Sequence, residues 1–140
     1  MAKFNKILVP LDGSSNSMRG LDRAIEIAKG SGAEITGFYV FHLPVAAGIK
    51  YTAKMKEDAQ RKAVKAIGPA MNKTQKAGAV FKYKTGGGNT GSEIVKFAKN
   101  GKFDMIVIGA RGVGGAKEAF LGSTSNYVMH KTKVPVLVVK

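Results

Sequence analysis

Asp12 follows a short apolar run, Ile7-Leu8-Val9-Pro10-Leu11, and leads into Gly13-Ser14-Ser15. Far along the chain a second apolar run, Phe103-Asp104-Met105-Ile106-Val107-Ile108, opens into Gly109-Ala110-Arg111-Gly112-Val113-Gly114-Gly115. A carboxylate facing a donor-rich glycine loop suits a sugar-phosphate ligand. Glycines let backbone N–H groups approach phosphate oxygens with no Cβ in the way. Downstream, Gly122-Ser123-Thr124-Ser125 offers hydroxyls and N–H groups at the start of a predicted helix, where the dipole also favours anions. Asp12 has a plainer role open to it, capping the following helix, for which Ser14 and Ser15 compete. Arg111 either meets a phosphate or is simply solvated, and Lys117, within the same loop, has the same two readings.

Other chemistries are excluded by type. Without cysteine there is no disulfide framework, no thiolate metal site and no cysteine nucleophile. His42 and His130 are the two histidines, far apart, so neither a Ser-His-acid arrangement nor a histidine-rich metal centre can be argued. No motif positions a general base for attack by water, so any nucleotide hydrolysis is expected to be slow and no dedicated catalytic residue is assigned. Gly86-Gly87-Gly88-Asn89-Thr90-Gly91 imitates a dinucleotide-binding loop but lacks an acid about 20 residues later, Asp104 coming too early. No glycine is followed by Lys and then Ser or Thr, so a Walker A loop is absent.

The elements that must position these residues alternate. Residues 7–11 read as a first strand, and Met18, Leu21, Ile25 and Ala28 recur at helical spacing until Gly30-Ser31-Gly32 stops the helix. Residues 33–41 read as a second strand. Met55, Ala59, Ala63, Ile67 and Ala70 form the stripe of a second helix, which Gly68-Pro69 should kink or interrupt. Met18, Met55 and Met71 read as core filling. Residues 79–85 alternate like a strand exposed on one side or at an edge, with a glycine-rich loop after it. A short helix over 92–100, a buried strand over 103–108, a helix over 124–131 and a strand over 134–139 complete the chain. Five strands separated by four helical segments predict an α/β fold, a doubly wound five-stranded parallel sheet with helices on both faces. Ligands in such sheets collect beyond the carboxyl ends of the strands, where the strand order reverses.

The 140 residues predict one domain, 1–140, with no linker or repeat. No apolar run approaches the roughly 18 residues of a membrane span, and the first residues do not form a signal segment. A cytoplasmic protein without membrane insertion is expected. The charge is unusual: 23 Lys plus Arg against 9 Asp plus Glu gives +14. Between Lys50 and Lys84 ten cations face only Glu57 and Asp58, which suggests polyanion contact from 50–84. A basic module binding nucleic acid without sequence preference, or a slow ATP hydrolase, are the alternative functions.

Gly109, two residues, Gly112, nine residues, then Gly122-Ser123 reproduces the G-x2-G-x9-G-(S/T) pattern of the universal stress protein family. The opening Ile7-Leu8-Val9-Pro10-Leu11-Asp12-Gly13-Ser14, the middle Gly88, Glu93-Ile94-Val95 and Phe103–Gly109, and the closing Pro135-Val136-Leu137-Val138-Val139 are similar to that family as well. The resemblance covers essentially the whole chain. It implies a Rossmann-like sheet in the order 3-2-1-4-5, and a nucleotide-dependent regulatory or stress-response module that binds ATP. It gives Gly109, Gly112, Gly122, Ser123 and Thr124, with Ser125 beside them, to the phosphates and ribose. Pro10 and the backbone of Val40 line the adenine pocket, and Asp12 faces the ribose or a Mg or Mn ion accompanying the nucleotide. Arg111 falls at a variable position of the pattern. A homodimer through the C-terminal strand 134–139 is the further implication.

Overall fold

Strands and helices alternate from β1 (Lys6–Pro10) through α1 (Ser15–Ser31), β2 (Glu34–His42), α2 (Ala53–Ala77), β3 (Phe81–Gly88), α3 (Thr90–Asn100), β4 (Met105–Gly109) and α4 (Ser123–Lys131) to β5 (Val136–Val139). The computed structural model describes residues 4–42, 52–111 and 121–140. All four strand pairings are parallel, and the sheet order is β3-β2-β1-β4-β5. The order reverses between β1 and β4, whose carboxyl ends therefore open the crevice that the sequence singled out.

Strand alternation divides the core in two. Ile7, Val9, Leu11, Ile35 and Val107 pack with Leu21, Ala24 and Ile25 of α1 and with Ile67 and Ala70 of α2. Leu8, Phe38, Ile106 and Ile108 point the other way, against Ile94 and Ala98 of α3 and Val128 of α4. A central strand covered on both faces has no polar side, which is why β1 and β4 read as unbroken apolar runs. Asp104 ties their amino ends together: its carboxylate accepts from the N–H groups of Asn5 and Lys6, both at 2.9 Å.

The helix limits follow local chemistry. The Ser14 hydroxyl accepts from Ser17 N at 3.1 Å to start α1, and Gly32 ends it in the left-handed conformation at φ 73°. Thr52 and Gly78 do the same for α2. Contrary to expectation, Gly68-Pro69 does not interrupt α2, whose 25 residues run on past them to Ala77. Pro69 and Lys65, whose carbonyl loses its donor, both lie on the exposed side, where solvent can satisfy that oxygen. Gly68 has no Cβ to clash with the proline ring, so it stays helical at little cost. Met71 is a second correction. It is 46% exposed, because the buried stripe of α2 runs through Ala63, Ala66, Ile67, Ala70 and Thr74 and leaves position 71 on its flank.

A third correction concerns Gly86-Gly87-Gly88, expected as a loop. They extend β3, an edge strand, pairing with Val40, Phe41 and His42. Packing explains two glycines of the stretch, since a Cβ at Gly86 would stand 3.0 Å from the Phe38 ring and one at Gly91 would stand 2.7 Å from Tyr127, while Gly88 holds φ 133°. The imitation of a dinucleotide loop is thus a set of close approaches between β3, β2, α3 and α4.

Candidate functional site

Beyond β1 the chain makes one more sheet contact, from Leu11 N to Phe38 O at 2.9 Å, and then turns. Asp12 is exposed, and its Oδ1 accepts from Ser14 N at 2.8 Å. Gly13 sits at φ 87°, a conformation that suits glycine, and Ser14 caps α1. Asp12 therefore shapes the turn, while Ser14 is the residue that caps the helix. Pro10 is buried beneath this turn, and Val40 is half-buried on the neighbouring strand.

The carboxyl end of β4 is held from both sides. Ala110 N donates to Val139 O at 2.7 Å, and Ala110 O accepts from Gly122 N at 2.7 Å and from the Ser125 hydroxyl at 2.7 Å. These bonds fix the first turn of α4 beside the end of β4. Gly122 is the N-cap and supplies no side-chain cap, so the first N–H groups of α4 lack the partner that Ser14 gives to α1. Ser123 is exposed and Thr124 half-buried. Ser125 is 2% exposed with its hydroxyl committed to backbone oxygens. Arg111 follows Ala110 and is half-buried. Gly112 and Lys117 lie outside the described residues.

Gly109 carries a demand of its own. A Cβ there would stand 2.7 Å from the backbone carbon and oxygen of Asn16, so the first turn of α1 rests directly on the end of β4. The structure thus brings Pro10, Asp12, Gly109, Arg111 and Gly122–Ser125 to the ends of two adjacent strands, with Val40 one strand further out. His130 is in the last turn of α4, where a cation is favourable, and β2 ends at His42. A groove of about 480 Å³ lined by Arg19, Asp22, Arg23, Glu26 and Lys73, among others, includes none of the candidate residues. Its carboxylates are paired within the groove, Asp22 to Lys73 at 2.6 Å and Glu26 to Arg23 at 3.0 Å.

Tyr39 was not anticipated. Burial, and then the nearby Asp12 carboxylate, push its phenol above the ordinary tyrosine value of 10.0. The strand register could have revealed it: Pro10 pairs with Phe38, which sets Tyr39 level with the start of the Asp12 turn. Because the folded-state value is raised, Tyr39 supports stability below pH about 10, and that contribution is lost as pH rises through the raised value. Asp12→Asn removes the second cause only. The Tyr39 titration, followed by NMR of its ring, is expected to move down without reaching the ordinary value; no movement would disprove the electrostatic contact.

The described residues contain no group of three or more His, Asp or Glu side chains able to hold a metal by themselves. A cation near Asp12 would have to share its coordination with a ligand's oxygens, as Mg²⁺ commonly does with one or two carboxylates and a phosphate. None of the described helices is long and apolar enough to cross a membrane.

Comparison with known proteins agrees with this geometry. The model of the universal stress protein family matches residues 3–140. The chain is 32% identical to the universal stress protein YxiE of Bacillus subtilis, over 98% of this chain and 99% of that protein. Its fold superposes on UspA of Lactobacillus plantarum with a TM-score of 0.88, at 25% identity and covering 100% of both chains. A universal stress protein crystallised in complex with cAMP gives a TM-score of 0.76 at 26% identity, covering 99% of both chains. With a match along nearly its whole length and the strand order to go with it, the chain belongs to the universal stress protein family.

Proposed function

We propose that this protein binds ATP at the crevice between β1 and β4 and acts as a nucleotide-dependent regulatory module in the stress response. The observation that carries the reading is the convergence of Asp12 with a helix N-terminus whose cap residue, Gly122, leaves its first N–H groups open to an anion. The relative in complex with cAMP supports an adenine nucleotide as the ligand class. Pro10 and the Val40 backbone flank the adenine. Gly109, Gly112, Gly122, Ser123 and Thr124 serve the phosphates and ribose, with Arg111 adding charge. Ser125 contributes through its N–H, since its hydroxyl is engaged. Asp12 takes the ribose or a Mg or Mn ion carried by the phosphates. Residues 1–140 form one domain. Calorimetric titration of nucleotide-free protein with ATP and Mg²⁺ is expected to give saturable binding, and absence of heat and of thermal stabilisation would end the proposal.

The second part of the reading is a homodimer through β5. This edge strand presents unpaired backbone groups and Leu137, 37% exposed, to solvent. Light scattering at micromolar concentration is expected to give twice the chain mass, and Leu137→Lys to shift it to the monomer. A native monomer would contradict this.

A further inference from the structure

We propose that the solvent face of α2 is a binding surface for duplex DNA, gripping the phosphate backbone without reading sequence. The nucleotide site leaves the basic character of this helix unexplained. α2 carries Lys54, Lys56, Arg61, Lys62, Lys65, Lys73 and Lys76, and after Asp58 no acidic residue occurs before its end at Ala77. Helical periodicity sets Lys54, Arg61, Lys65 and Lys76 in one outward row with Lys62 beside it, opposite the buried stripe of Ala63, Ile67, Ala70 and Thr74. All five are exposed.

The ion pairs sharpen the pattern. Arg61 is paired with Asp58 and Lys73 with Asp22 of α1. Lys54, Lys62, Lys65 and Lys76 carry no ion pair among the described residues. A merely solvated helix face gains from alternating signs, whereas Arg61 and Lys65, four apart, repel each other. The arrangement does not serve the helix's own stability, and the helix that carries it is capped at both ends, by Thr52 and Gly78. From Lys54 to Lys76 the row is about 33 Å long, close to one duplex turn of about 34 Å.

Other polyanions fit less well. A helix that docks on a lipid surface inserts a broad apolar face, and α2 gives its own to the core, leaving Val64 and Met71 as its only large apolar side chains exposed on the flank. Single-strand sites stack bases on aromatic rings, and α2 has none.

The test is fluorescence anisotropy of a labelled duplex of about 30 base pairs, roughly three turns, with the full chain and no nucleotide. Four unpaired cations predict that log K falls against log salt with a slope of about −3.6, measured between about 50 and 200 mM. Lys62→Gln with Lys65→Gln is expected to reduce that slope by about 2 and weaken binding at least about tenfold at 50 mM. Lys54→Gln with Lys76→Gln repeats the test at the ends of the row. Lys99→Gln with Lys131→Gln, the same charge change on α3 and α4, is expected to leave affinity within about twofold. Equal losses in all three pairs would mean that diffuse charge is responsible and would overturn the proposal. So would no binding at 50 mM, tighter binding to single strands, or binding to phosphatidylserine vesicles without binding to the duplex.

Discussion

Gly122→Val is expected to weaken ATP binding by more than about 100-fold, or about 2.8 kcal/mol. The substitution separates ligand from fold unusually well. Gly122 has φ −65° and ψ 161°, an extended conformation that a β-branched residue adopts readily. Its N–H bond to Ala110 O, at 2.7 Å, requires no particular side chain. The fold is therefore expected to lose no more than about 1 kcal/mol, the size of an ordinary single substitution. The ligand meets a branched side chain over the first turn of α4, where phosphate oxygens need direct approach to N–H groups. Charge-assisted bonds of this kind contribute about 1.5–3 kcal/mol each, so losing one or two accounts for the predicted drop. Calorimetry measures the affinity. Thermal unfolding gives an independent reading: ATP at about 100 times the dissociation constant should stabilise the native protein by about 2.7 kcal/mol and leave the variant almost unmoved. Native-like affinity in the variant would remove Gly122 from the site.

Gly109→Ala is expected to behave in the opposite way, damaging the fold before any ligand is added. The new methyl would lie 2.7 Å from two backbone atoms of Asn16, and backbone in the first turn of a capped helix cannot swing aside as a side-chain tip can. Either α1 shifts or β4 does, and both are anchored in the core through Leu21 and Val107. Overpacking of this kind costs about 1–3 kcal/mol, and the backbone partner places it at the upper end. For a chain of this length that corresponds to a fall of about 10 °C in the unfolding temperature without nucleotide. Denaturant titration should give a lowered midpoint with unchanged slope. A loss below about 0.5 kcal/mol would mean that the contact yields freely. The first glycine of the pattern therefore has a structural duty that its spacing alone does not reveal.

The architecture was legible because its causes are local and repeated. β1 and β4 announced themselves as unbroken apolar runs because each is covered on both faces, whereas β3, at an edge, carries Lys82, Tyr83 and Lys84 all exposed. Ser14 and Gly32 were readable as helix limits because capping depends on neighbours in the chain. The misreadings share another cause. The continuity of α2 past Pro69, the exposure of Met71 and the strand character of Gly86-Gly87-Gly88 depend on which side of an element meets a neighbour, and spacing does not encode that. The same limit holds at the site. Asp12 and the Gly122 turn lie where the sequence put them, past the end of β1 and at the start of α4, while Gly109, expected in a loop, closes β4. That Ser125 spends its hydroxyl on Ala110, and that Tyr39 feels Asp12, follows only from strands and helices distant in the chain.

One residue, Ala110, holds Val139 through its N–H and Gly122 with Ser125 through its carbonyl. The two groups lie in successive peptide planes that meet at the Ala110 Cα, so the edge of the sheet and the start of α4 are separated by a single residue in the hydrogen-bond network. The Gly122 turn and the carboxyl end of β5 thus share one anchoring residue. Were occupants of the turn and of that edge to favour different placements of Ala110, linkage would make each change the other's affinity by the same factor. Three hydrogen bonds to a single residue are all that separates the start of α4 from the edge of the sheet.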